Sequence, residues 1–117
     1  AVTGEGNSTT TNLQQGLAKH WSHLDCSQAA ASMAQDSFNL SSMTDSGTGQ
    51  YVFTLSNIMA SVSHSSIAIG NHMSDGHIFQ SMSVYTTSGA KIICTNGTGG
   101  SAVDPEDLSV QTAGDLA

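Results

Sequence analysis

The sequence predicts an all-β chain, an antiparallel β-sandwich of about seven or eight strands. Three observations carry this. Apolar and polar residues alternate with period two over several short runs. Turn-forming Gly, Asn, Asp and Ser separate those runs every roughly 8 to 12 residues. The composition, dominated by Ser, Thr, Asn and Gly, opposes helix, because the hydroxyl and amide side chains compete for backbone bonds and Gly weakens helix interiors.

Ala1 to Gln15 offers almost nothing to bury, so residues 1–15 are expected to be a flexible arm or linker, with residues 16–117 forming the sandwich. Beyond Gly16, Leu17, Lys19, Trp21, His23 and Asp25 alternate with Ala18, His20, Ser22, Leu24 and Cys26. Trp21, the only tryptophan, is expected to anchor the early half of the core. Ser27 to Gln35 reads as a loop with short strand character at Ala31 to Ala34, although its alanine run suits a helical turn equally.

The clearest element is a hairpin over Asp36 to Asn57. Phe38, Leu40 and Ser42 alternate with Ser37, Asn39 and Ser41, and Tyr51, Phe53 and Leu55 alternate with Val52, Thr54 and Ser56. Between them Gly47 and Gly49 supply the positive φ angles of a tight loop. Val62 to Gly70 and His77 to Thr86 are expected to form a second hairpin about the Asp75-Gly76 turn. Ser88 to Ala90 is the next turn, and Lys91 to Thr95 places Ile92 and Cys94 on one face. After a glycine-rich excursion from Asn96 to Pro105, the last strand runs from Asp107 to Thr112 with Leu108 and Val110 inward.

At 117 residues the chain has room for one core. It has no arginine, two lysines and a formal charge of −7, which argues against nucleic acid, since nothing would neutralise a row of phosphates. No apolar run approaches a membrane span and the start has no basic and apolar leader, so a soluble chain without insertion or export signal is expected. Cys26 and Cys94 form no CxxC pair and are expected to be two buried free thiols, the alternative being a disulfide in a fold that brings their strands together. Aromatics are only 5% of residues. Such a thin core points to help from oligomerisation.

Three stretches together resemble the C-terminal domain of tail fibre and related virion proteins of bacteriophages, particularly those of marine bacteria and cyanobacteria. They are NLQQGLAKHW (Asn12 to Trp21), DSFNLSSMTDSGTGQYVFTLSN (Asp36 to Asn57) and the ending AGDLA (Ala113 to Ala117). Gln35 stands where that pattern often has Arg, and Val62 to Cys94 matches it only as strands. The resemblance implies a homotrimeric, β-rich domain of a virion appendage, assembled in the host bacterial cytoplasm and contributing to host attachment by non-covalent binding. Its partners would be its own copies, other virion proteins and a host surface glycan or protein. The alternative is a purely structural head, neck or tail decoration protein that binds other capsid or tail proteins.

No Gly-x-Ser-x-Gly elbow, HExxH pair or pair of facing carboxylates is visible, so neither catalysis nor a cofactor is expected. The spacing of His20, His23, His64, His72 and His77 does not build a metal site. These histidines are expected on the surface or between subunits, bonded to hydroxyls. Receptor contact is expected from two loops, through Asn71, His72, Asp75 and His77 in one and Asn96, Thr98 and Asp104 in the other.

Overall fold

The computed structural model describes residues 2–3, 10–11, 17–72, 78–97 and 100–117. Val2–Thr3 (β1) and Thr10–Thr11 (β2) pair antiparallel as a small ladder of their own. The remaining strands form a β-sandwich of two four-stranded antiparallel sheets. The first sheet contains His20–Leu24 (β3), Ala34–Phe38 (β4), Ser65–Asn71 (β7) and Asp107–Ala113 (β10), in the order β4-β3-β10-β7. The second contains Leu40–Gly47 (β5), Gln50–Leu55 (β6), Ile78–Thr86 (β8) and Gly89–Asn96 (β9), in the order β5-β6-β9-β8.

Period two decides what is buried. On β6, Tyr51, Phe53 and Leu55 point inward, and they meet Met43 of β5, Ile92 and Cys94 of β9, and Leu24, Leu108 and Val110 of the first sheet. Met33 enters the same core just after a 3-10 turn at Ala30–Ser32, so the alanine run is a helical turn rather than strand.

The hairpin at the centre of the sequence is real from Leu40 to Leu55, but its first arm breaks at Asn39. Phe38 ends β4 in one sheet and Leu40 starts β5 in the other. Asn39 makes the corner with φ +60, a conformation asparagine tolerates better than most residues. Its amide nitrogen donates to the carbonyls of Lys19 and Asn57, and its Oδ1 accepts from the Asn57 backbone N–H at 2.7 Å.

The second hairpin does not exist. Gly70 belongs to β7, which pairs with β10, and Ile78 belongs to β8, which pairs with β9, so the segment between them crosses from one sheet to the other. β8 instead turns back into β9 through Thr87 and Ser88, which places the turn earlier than Ser88 to Ala90.

Trp21 does not anchor the core either. It is 38% exposed, while its neighbours His20 and Ser22 are buried. On β3 the inward phase belongs to His20, Ser22 and Leu24, and a side chain one residue out of phase must face solvent.

Val84 carries φ +49 where the β8–β9 ladder slips between Ser83 and Thr86, and it is 66% exposed. A β-branched side chain is strained there, with no burial to offset the cost. Val84→Asn is expected to raise stability by about 1 kcal/mol. The measurement is the urea midpoint at unchanged m-value. A lower midpoint would show that the bulge needs valine.

Candidate functional site

The strands give the sandwich two unlike poles. β3 begins and β10 finishes side by side, with His20 paired to Thr112. The Asn39 corner, the connection through residues 56–64 and the Thr87–Ser88 turn lie at that same pole. The other pole collects the connections after Leu24, Gly47, Asn71 and Asn96.

Four of the expected contact residues meet at this loop pole. Asn71 closes β7 and its carbonyl accepts from the Glu106 N–H at 3.1 Å, with His72 next to it. Asn96 closes β9, and its backbone N–H donates to Ser101 O at 2.8 Å. Asp75, His77 and Thr98 lie outside the described residues. Asp104 is committed to the fold, since its Oδ1 accepts from Gly49 N at 2.7 Å and from the Tyr51 hydroxyl at 2.6 Å. The Tyr51 ring is fully buried, and burial with that bond holds its phenol protonated well above the usual range.

Gly49 is fixed by this pole. It has φ +67, and a Cβ there would lie 2.5 Å from the Cys94 carbonyl oxygen. Only glycine fits.

The outer faces of the two sheets differ. The second sheet turns Ser42, Thr44, Thr54, Ser81 and Ser83 outward beside Lys91, with Phe79, 66% exposed, in the same phase of β8. Across the first sheet, the register aligns Phe38, Trp21, Gln111 and Ile67 in one row and Asp36, His23, Ser109 and Ile69 in the next. Phe38 is 54%, Ile67 65% and Ile69 73% exposed. Aromatic side chains therefore occupy the β4–β3 half of this face and aliphatic ones the β7 edge, separated by the Gln111 and Ser109 stripe of β10. His23 Nε2 lies 3.3 Å from Asp107 Oδ1, a pair too exposed to stabilise much.

Two histidines are not where surface or inter-subunit placement would put them. His20 is fully buried, its ring stacked on Phe53 at 4.7 Å between centroids. Burial pushes it down to about 4, so it is uncharged at neutral pH. His64 is nearly buried and meets Tyr85 edge-on. Both bond to hydroxyls of their own chain: His20 to Ser22 and Thr112, and His64 to Ser66. A sequence signal existed, since His-x-Ser occurs twice on the inward phase of a strand pattern, at His20-Trp21-Ser22 and His64-Ser65-Ser66. With every ring nitrogen of this pair bonded inside the protein, the arrangement is suited to holding strands rather than to attacking a substrate.

Cys26 and Cys94 are both buried and free. Burial pushes the Cys26 thiol up to about 12 and the Cys94 thiol to about 11, which keeps both protonated and unreactive. Among the described residues no three His, Cys, Asp or Glu side chains gather to hold a metal ion. Set against protein-family models, curated proteins and solved structures, the chain matches none.

Proposed function

We propose that this domain is a non-enzymatic attachment module of a bacteriophage virion appendage, acting as a homotrimer that binds a host surface glycan or protein through its loop pole. The observation that carries this reading is the polarity of the sandwich. The chain enters β3 and leaves β10 at one pole, and the loops bearing Asn71, His72 and Asn96 stand at the other. A domain held at one end and presenting loops at the far end is built for display. The resemblance of Asp36 to Asn57 to phage fibre domains supplies the context.

The apolar outer face of the first sheet supports self-association. Patches of exposed aromatic and aliphatic side chains of this kind mark association surfaces, and three copies around an axis can set the aromatic half of one face against the aliphatic edge of the next. The same face also favours the second reading, a decoration protein packed against other capsid or tail proteins.

Particle imaging with an antibody against the folded domain separates the two. Label at free distal tips is the expected result. Label along a shell or tube would favour decoration, and absence of label on purified particles that carry the gene would sink the virion reading altogether.

A further inference from the structure

One unbroken line of hydrogen bonds crosses the interior at the entry pole. Ser22 Oγ lies 3.1 Å from His20 Nε2, and His20 Nδ1 lies 3.3 Å from Thr112 Oγ1. Thr112 Oγ1 is 2.8 Å from Ser66 Oγ, which is 3.4 Å from His64 Nδ1. His64 Nε2 ends the line 2.8 Å from the Thr86 carbonyl oxygen on β8. The line therefore runs from β3 through β10 and β7 in one sheet to an edge strand of the other.

The last bond sets the direction of all the rest. A carbonyl only accepts, so His64 Nε2 carries a hydrogen, and in a neutral ring His64 Nδ1 is then an acceptor. Ser66 then donates to His64, Thr112 to Ser66, His20 Nδ1 to Thr112, and Ser22 to His20 Nε2. With both rings neutral, every bond in the line has its own hydrogen. One added proton gives the line more donors than it has bonds, and a buried hydroxyl loses its acceptor.

We propose that this line is a proton-sensitive latch between the sheets, which holds β3, β10 and β7 against β6 and β8 only while both imidazoles are uncharged. Acidification then loosens the sandwich from inside.

The surroundings fit that role. Ser22, Ser66 and Thr112 are each at most 5% exposed, and β6 covers His20 with the Phe53 ring. Few ionisable groups lie near. Tyr85 of β8 touches His64, and Asp115 shares with it a polar hollow of about 200 Å³. Lys19, directly before β3, turns its Nζ to the Leu17 carbonyl. The inward titratable groups of β6 and β9, Tyr51 and Cys94, belong to the loop pole, where Asp104 bonds Tyr51 and the Cys94 N–H bonds Gly49 O.

The sign follows from His20. Its value in the folded chain, about 4, lies below the ordinary 6.5, so the unfolded chain takes up a proton first. Stability is whole above pH 6.5 and is lost as pH falls toward 4.

The test is urea unfolding of the whole chain at pH 7.5 and 5.0, for wild type and His20→Gln. Glutamine keeps a donor and an acceptor but cannot take up the proton. The wild-type unfolding constant should rise about 30-fold more than that of the variant, tenfold for each pH unit below the ordinary histidine value. Equal rises would overturn the proposal. Nitrogen NMR of the wild type gives a second readout that holds even where the variant does not fold. At pH 7.5 the hydrogen should sit on Nδ1 of His20 and on Nε2 of His64. His20 should also stay neutral at pH 5.5. The opposite tautomers, or a His20 ring that charges near pH 6.5, would refute the latch.

Discussion

Changing Ile67 and Ile69 together to lysine is expected to turn the proposed trimer into folded single subunits. Both side chains are more than 60% exposed in the lone sandwich, at 65% and 73%, so their loss costs the fold of one subunit little. In the assembly each isoleucine would be buried, worth about 1.5–3 kcal/mol. The variant loses about 3–6 kcal/mol for the pair and adds charge to an apolar contact, a fall of about a hundredfold or more in association. Trp21, on the same face, reports the event without a label. Its emission should shift to the red in the variant as the ring becomes wet. A wild-type chain that stays a single subunit at micromolar concentration would refute the assembly.

Asp104→Ala should unfold the loop pole first and lower stability by about 2–4 kcal/mol. The carboxylate accepts from the Gly49 N–H and the Tyr51 hydroxyl, and removing it strands a fully buried phenol without an acceptor. Asp104→Asn keeps an acceptor oxygen and should recover about half of the loss. Tyr51→Phe added to the Asp104→Ala variant should also restore stability, because deleting both partners of a buried bond costs less than orphaning one. Urea midpoints of the four proteins decide this. Equal midpoints for wild type and Asp104→Ala would show that the bond is idle.

Much of the sandwich was legible wherever bulky apolar residues fill the inward phase. Tyr51, Phe53 and Leu55 on β6, Ile92 and Cys94 on β9, and Leu108 and Val110 on β10 all sit where period two places them. Legibility failed where the inward phase is polar. β3 buries His20 and Ser22 and shows Trp21, and β7 buries Ser66 while Ile67 and Ile69 face out. Hydrophobicity cannot reveal that inversion, because the partners that satisfy these polar groups are remote. Thr112 is 92 positions from His20 and 46 from Ser66.

Pairing was harder still. Asp75-Gly76 is a sound turn signal, yet the strands flanking it belong to different sheets, and no local pattern distinguishes a reversal from a crossing. Of the candidate contact residues, the structure gathers Asn71, His72, Asn96 and Asp104 at one pole and gives Asp104 an internal task.

The pairing of β3 with β10 has a consequence for how the molecule is made. The earliest strand of the sandwich stays unpaired on its β10 side until Thr112, 92 positions after His20, has been made. Until then β3 lacks a partner on one side and β7 on both, and those bare edges are open to strands of other nascent chains. Such a topology folds slowly, since distant segments must meet before any of them is rewarded. Synthesis is therefore a hazardous stage for this fold, and a chain that stops short of residue 107 would lack the strand that joins β3 to β7.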